Sequence, residues 1–173
     1  MPTYHHGNLR AAVLASAGKL IEKEGLAGLS VREAARRAGV SHNAPYRHFP
    51  DRDALLAAVA IEGFDLLGES LQDLSGRELG EAYVRFARQH PQRFRLMFAG
   101  HAQGQAIQSH FARAFAGVGG EARYAAAAAW ALVHGLADLI LDGHFEADDE
   151  FVRKVIGAIR FAVGRDAAAQ RSA

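Results

Sequence analysis

The chain contains no cysteine, which excludes disulfides, thiol catalysis and thiolate metal sites and fits a reducing compartment. Its first ten residues, MPTYHHGNLR, lack the apolar stretch of a signal peptide. No uninterrupted apolar run reaches the roughly 18 residues that a membrane span needs. A Gly-rich phosphate loop and a Ser/His/Asp arrangement are also missing, so the sequence predicts no enzyme. These absences together lead us to expect a cytoplasmic protein with no membrane segment.

What is present is ordinary globular composition: 173 residues, half of them apolar and 23% charged. The net charge of +1 says little about partners, but its distribution is uneven. Residues 1–60 carry eight Lys or Arg against five Asp or Glu, and the remainder is therefore slightly acidic. A basic first third favours contact with phosphates at one end of the chain.

Apolar residues recur at helical spacing along nearly the whole chain, and no stretch alternates for long enough to predict a strand. The first helix is predicted to end at Gly25. Ser30-Val-Arg-Glu33 and Ser75-Gly-Arg-Glu78 are capping-box patterns that predict helix starts, and Ser41 and Asp51 are predicted caps of two more helices. A further helix is predicted around Ile107, Phe111 and Phe115. The fold class is therefore predicted to be all-α.

Residues 30–52, SVREAARRAGVSHNAPYRHFPDR, indicate two short helices joined by a tight turn. Small residues in the first helix let it cross the second closely, and Gly39 can take the positive φ that the turn needs. The second helix carries exposed polar residues first and aromatic residues afterwards, and we expect Phe49 to belong to the core. This pattern is typical of a helix-turn-helix, whose second helix lies in the DNA major groove.

This segment resembles the signature of the TetR family of transcription regulators. Gly39-Val-Ser41, Tyr46, His48 and Phe49, then Arg52 and Ala54-Leu-Leu56, carry the resemblance. The opening Tyr4-His-His-Gly-Asn-Leu-Arg10 and the later Trp130…His134-Gly135 resemble a subgroup with a Trp-His-Gly C-terminal domain. The sequence departs from the commonest pattern at Pro45, where an aliphatic residue is usual.

The resemblance implies an all-α homodimer with a three-helix helix-turn-helix domain over 1–52 and a helical ligand-binding and dimerisation domain over 53–173. It implies that Arg32 reaches DNA, that Ser41, Tyr46, His48 and Arg52 contact phosphates, and that His42, Asn43 and Ala44 face bases. The chemistry agrees, since Asn can bond an adenine edge and Ala can pack on a thymine methyl. Arg47 completes the predicted DNA-binding set.

The C-terminal helices carry the expected effector site. A helix from about Glu121 to Leu141 is apolar on most of its surface, so it must be covered on both sides, by a second subunit or as a central core helix. Aromatic residues with two histidines are the candidates for a pocket between helices. The predicted ligand-binding residues are Phe86, His90, Phe94, Phe98, Phe111, Trp130 and His134. Their mainly apolar character predicts a small hydrophobic effector, although at any single position plain core packing is the commoner role.

The sequence thus predicts a ligand-responsive dimeric regulator, by family habit a repressor, that reads a pseudo-palindromic double-stranded DNA operator. The alternative is a helical enzyme or carrier whose helix-turn-helix resemblance is only architectural. The nine histidines show no two-His metal spacing, so neither a metal site nor a cofactor is predicted. The operator, the effector, the regulated genes and the direction of regulation are not encoded in any motif that we recognise.

Overall fold

The computed structural model describes residues 9–99 and 122–158, and every regular element in these two ranges is helical. The α-helices are α1 (Leu9–Glu24), α2 (Val31–Arg37), α3 (Arg52–Leu71), α4 (Gly76–Gln89), α5 (Pro91–Phe98), α6 (Ala122–Leu141) and α7 (Asp149–Ala158). Two 3₁₀ helices, Leu26–Gly28 and Ala44–Arg47, flank α2. The all-α prediction is confirmed, and the helix predicted around Phe111 lies outside the described residues.

Helix ends fall where the local signals place them. Gly25 takes φ +72° directly after α1, a conformation that L side chains rarely adopt. Asp51 Oδ1 accepts a hydrogen bond from Ala54 N at 2.7 Å and so caps α3, as predicted. The helix predicted to stop before Pro91 ends at Gln89. These ends depend on neighbours within four residues, which is why the sequence predicts them.

The described chain divides into two compact units, and unit 1 comprises residues 9–68 and 90–99. Its apolar core is closed around α1, whose Val13, Leu20 and Ile21 are fully buried. α3 supplies Leu55 and Val59, and α5 supplies Leu96. Because these side chains come from helices far apart in sequence, the core fixes the segment between α1 and α3.

A buried arginine also lies within unit 1. The Arg93 guanidinium bonds Glu62 through Nη1 and Oε2 at 2.7 Å, and its side chain is 9% exposed. The Glu22 carboxylate accepts hydrogen bonds from the backbone N–H groups of Gln92 and Arg93, which start α5. A Cβ added at Gly18 would lie 2.0 Å from Arg93 Nη2. Only a glycine at position 18 leaves room for this guanidinium beside α1.

Unit 2 comprises residues 69–89 and 122–158, and α4 packs against both α6 and α7 in it. A Cβ added at Gly80 of α4 would lie 3.2 Å from Val133 Cγ1 and 3.4 Å from Ile156 Cδ1. Val133, Leu136 and Ile156 are buried on this inner side. The small residue lets the three helices approach closely.

Most of the α6 surface remains uncovered. Tyr124, Leu132 and Leu139 are 56%, 43% and 43% exposed, although the helix is strongly apolar. The stretch Arg123–Leu141 is long and apolar enough to cross a membrane by length and composition, with a mean hydropathy of 1.5. An apolar helix with one face packed in its own unit and another face exposed is also typical of an interface between protein subunits.

Candidate nucleic-acid interface

The turn after α2 is built by local bonds. Ser30 Oγ accepts from Glu33 N at 3.1 Å and caps the helix. Gly39 takes φ +70°, while Gly39 N bonds Arg36 O and Val40 N bonds Ala35 O. The predicted capping box is half formed, because the Glu33 side chain turns to two arginines instead of bonding back to Ser30.

Glu33 neutralises part of the positive charge on α2. Its carboxylate accepts from Arg36 at 2.7 and 2.8 Å and from Arg37 Nε at 2.8 Å. Hydrogen bonds from Arg36 and then from Arg37 lower the pKa of Glu33 to about 2, so this carboxylate stays charged at any physiological pH. Arg37 also pairs with Glu24 of α1. Arg37 therefore connects α2 to α1, whereas Arg36 pairs within α2 and Arg32 near the start of the helix is exposed.

Residues 41–48, which we name the reading segment, form a tighter structure than the sequence predicts. The helix predicted from a Ser41 cap is wrong: the regular part is a 3₁₀ helix over Ala44–Arg47 that has Asn43 at its N-cap position. Backbone bonds run from Ala44 N to Ser41 O and from His48 N to Pro45 O. Pro45 has no N–H and disfavours the α conformation at Ala44, which accounts for the tighter turn.

The reading segment and the adjoining Phe49 have a buried side and an exposed side. Pro45 and Phe49 are buried, and Phe49 is only 1% exposed, which confirms it as core. Ser41, His42, Asn43, Tyr46, Arg47 and His48 are all exposed, and Ala44 is half-buried. The buried pair anchors the segment in the core of unit 1, while most of its predicted DNA-contacting side chains are exposed to solvent.

Two arginines frame this surface. Arg52 donates from Nε to Leu29 O at 3.0 Å and from Nη2 to Leu26 O at 2.6 Å. Arg10 of α1, which sequence reasoning missed, lies over the Phe49 ring with Cζ 5.6 Å from the ring centroid. Arg10 is exposed and adds a positive charge beside the end of the reading segment. Only its basic character could have suggested it, because the partner ring is 39 residues away.

The predicted ligand-binding residues fall in both units. In unit 1, Phe94 is fully buried and contacts Phe98 in a tilted arrangement with 4.9 Å between ring centroids, and Phe98 also meets Phe64 edge-on at 5.4 Å. Phe86, Trp130 and His134 belong to unit 2, and Phe111 lies outside the described residues. His90 lines an open crevice of about 380 Å³ in unit 1 with Lys19, Lys23 and Arg93. The crevice is open to solvent and is not an enclosed cavity.

In unit 2, Tyr83, Trp130 and His134 form one polar network. Trp130 Nε1 donates to Tyr83 Oη at 3.2 Å, and Tyr83 Oη lies 2.9 Å from His134 Nδ1. The other ring nitrogen of His134 lies 3.4 Å from an Asp138 carboxylate oxygen. Burial lowers the pKa of His134, with Asp138 opposing, and burial raises the pKa of Tyr83 far above its usual range.

One tautomer of His134 satisfies both contacts. A neutral His134 that carries its proton on Nε2 can donate toward Asp138 and accept from the Tyr83 hydroxyl at Nδ1. Both ring nitrogens of His134 are then occupied by protein groups. Across residues 9–99 and 122–158, no group of three His, Asp or Glu side chains could hold a metal ion.

Unit 1 therefore has the parts of a helix-turn-helix DNA-binding protein: a capped first helix, a tight turn at Gly39 and an exposed polar segment on a buried anchor. Two family models match the chain. The model of bacterial regulatory proteins of the tetR family covers residues 13–59, and that of the tetracyclin repressor-like C-terminal domain covers residues 77–159. The chain belongs to the TetR family and is a ligand-responsive, DNA-binding transcription regulator.

Solved structures share this fold. A protein of unknown function from Rhodococcus sp. RHA1 is 36% identical over 91% of this chain and 94% of its own, with a TM-score of 0.71. A tetR-family transcriptional regulator from Streptomyces coelicolor is 20% identical over 98% and 85%, with a TM-score of 0.70. The multidrug binding protein EbrR, solved with imidazole, is 23% identical over 91% and 93%, with a TM-score of 0.64. No curated protein sequence matches the chain.

Proposed function

We propose that the protein is a homodimeric repressor that reads a pseudo-palindromic operator with its reading segment and releases it when a small hydrophobic molecule binds. The observation that carries this proposal is the exposed row from Ser41 to His48, anchored by the buried Pro45 and Phe49. Such a protein acts where the DNA is, in the cytoplasm, and we expect no enzymatic activity from it.

Within the reading segment we propose two kinds of contact. His42, Asn43 and Ala44 lead the segment and face base edges, where an Asn amide can both donate to and accept from adenine. Ser41, Tyr46 and His48 offer hydroxyl and imidazole groups to phosphates, joined by the exposed Arg32 and Arg47. In this division the first turn recognises the base sequence, and the phosphate contacts position the protein on the DNA.

We propose that the second copy binds to α6. Its exposed apolar side chains, Tyr124, Leu132 and Leu139, border the buried Val133 and Leu136 on the side that packs against α4. A two-fold axis through this face would bring identical surfaces together and pair two reading segments, as a palindromic site requires. A bilayer is the competing cover for such a surface, and the oligomeric state in detergent-free buffer separates the two.

We propose that the effector binds among the C-terminal helices. The match to the tetracyclin repressor-like C-terminal domain supports this, and EbrR, a protein of similar fold, was solved with imidazole. Within unit 2 we propose that Phe86 and Trp130 contribute apolar contacts, while a role for Phe94 and Phe98 of unit 1 stays a prediction from the sequence. His134 contributes its ring face, because both of its nitrogens already face protein groups. Assignment to the Trp-His-Gly subgroup stays a prediction from the sequence.

The test is a mobility-shift titration with duplex DNA flanking the protein's own gene, beside a random duplex of equal length. Asn43→Ala should weaken binding to the specific fragment by roughly 1–3 kcal/mol and leave random DNA unaffected. Gln72→Ala is the matched control, an exposed amide in the turn after α3. Equal losses on both fragments, or none, would show that the reading segment does not read bases.

A further inference from the structure

We propose that Arg52 is a positioning residue for DNA binding: it clamps the turn between α1 and α2 and does not serve as a phosphate ligand. This inference rests on the DNA-binding function of the family. The resemblance to other family members implies a phosphate contact at this position, and the geometry points elsewhere.

The guanidinium of Arg52 is already engaged along one edge. Nε donates to Leu29 O at 3.0 Å and Nη2 to Leu26 O at 2.6 Å. The Nε–Nη2 edge is one of the two edges that can hold a carboxylate or a phosphate with two parallel bonds. In Arg52 that edge is occupied by two backbone carbonyls.

Both carbonyls belong to the 3₁₀ turn that separates α1 from α2. Leu26 begins the turn, and Leu29, whose side chain is 2% exposed, caps it. Leu26 O already accepts a hydrogen bond from Leu29 N at 3.3 Å, so Arg52 adds a second, charged donor to it, and a charged donor makes a strong hydrogen bond. Arg52 supplies that donor from 23 residues away in the sequence.

The clamp controls the reading surface because of what lies on each side of it. Leu29 immediately precedes Ser30, the N-cap of α2, and Arg32 follows two residues later. Arg52 itself begins α3, and Asp51 caps that helix through Ala54 N. One side chain therefore connects the start of α2 to the start of α3, the two helices between which the reading segment is held.

The experiment compares Arg52→Lys and Arg52→Ala in the full-length protein. Lysine keeps the charge but offers a compact ammonium instead of a planar fork, so it cannot bond both carbonyls in the same geometry. The clamp predicts that both variants lose affinity for the gene-flanking duplex by about tenfold and keep the wild-type dependence on salt. A phosphate ligand predicts that lysine restores binding and that alanine lowers the salt slope by about one unit.

Amide hydrogen exchange in the free protein gives a readout that needs no DNA. The clamp predicts that exchange over Val31–Ala35 is about tenfold faster in both variants, with circular dichroism confirming that they are folded. Arg32→Lys and Arg32→Ala are the matched controls, since Arg32 is an exposed arginine in the same unit. They should give the phosphate pattern with unchanged exchange.

Lysine rescue of DNA binding, a lowered salt slope for alanine, or unchanged exchange in both Arg52 variants would each overturn the clamp. If the wild-type protein binds no duplex at low salt, the proposed function fails. The exchange measurement then still decides whether Arg52 holds the turn.

Discussion

Unit 1 and unit 2 are both helical, but they differ in how far the apolar side chains of α1 in the one and α6 in the other are buried. In unit 1 the apolar stripe of α1 packs against α2 and α5 and shares one core with side chains of α3, and Val13, Leu20 and Ile21 are fully buried. In unit 2 the more apolar helix, α6, keeps Leu132 and Leu139 43% exposed. Unit 1 therefore buries the apolar side of its central helix with its own helices, whereas α6 presents the apolar face on which we propose that a second copy binds.

The largest loss of stability is expected from a charge placed in the core of unit 2. Ile156 is 3% exposed and packs near Gly80, so it belongs to the subunit core and not to an interface. Ile156→Asp buries an unpaired charge and should destabilise the fold by more than about 4 kcal/mol. Thermal melts followed by circular dichroism measure this, with Lys154→Asp on the exposed side of α7 as control. A folded monomer with wild-type stability would instead place Ile156 at the subunit boundary.

A loss of about 1–3 kcal/mol is expected at the Arg93–Glu62 pair of unit 1, because Glu62 is 29% exposed and stays partly solvated when its partner is removed. Arg93→Ala removes the partner of Glu62 and opens space beside Gly18. Urea unfolding of Arg93→Ala measures the loss, and Arg95→Ala on the exposed side of α5 is the matched control. Similar midpoints for the two variants would show that this contact does not stabilise unit 1.

Charges placed on the exposed apolar face of α6 should change the oligomeric state of the protein. Leu132→Lys combined with Leu139→Lys places two charges on the exposed apolar surface and should halve the mass measured by light scattering. Helical content should persist, because Val133 and Leu136 on the inner side are untouched. The same double lysine substitution at the exposed Arg77 and Glu78 of α4 controls for added charge. A wild-type protein that is already monomeric at micromolar concentration would refute the dimer.

The smallest effect concerns pH. Burial lowers the pKa of His134 in the folded state, so between that value and the usual value near 6.5 the unfolded chain binds more protons. Stability should therefore fall as pH drops below about 6.5, by at most about 1.4 kcal/mol per pH unit from this group. Comparing urea unfolding at pH 7.5 and 5.5 in the wild type and His134→Gln measures the contribution. An identical pH dependence in both proteins would mean that His134 does not contribute.

Some of these features were predictable because they depend on near neighbours. The helix end at Gly25, the Ser30 cap and the Asp51 cap each involve residues within four positions of one another. The reading segment was mispredicted for a local reason as well. Pro45 was judged tolerable in the first turn of a helix capped by Ser41, whereas it sits inside a 3₁₀ helix that begins at Ala44.

Long-range partners could not be predicted in the same way. Gly18 looks like a weak point in α1 until Arg93, 75 residues later, is placed against it. Arg52 is a basic residue at a helix start, which by itself suggests a phosphate; only the folded turn brings two carbonyls to its guanidinium. His134 shares a short motif with Trp130, but its hydrogen-bond partner Tyr83 comes from a different helix.

The sequence by itself determined the helical fold, the helix-turn-helix and the family, because periodicity, caps and turn glycines act over a few residues and are written in order along the chain. The tertiary structure decided which charged groups bind other groups of the protein. Glu33, Arg93 and Arg52 all look like surface charges in the sequence, yet each is held by specific partners. A charge is satisfied by whichever group the fold brings within about 3 Å, and that proximity is a property of the packed helices.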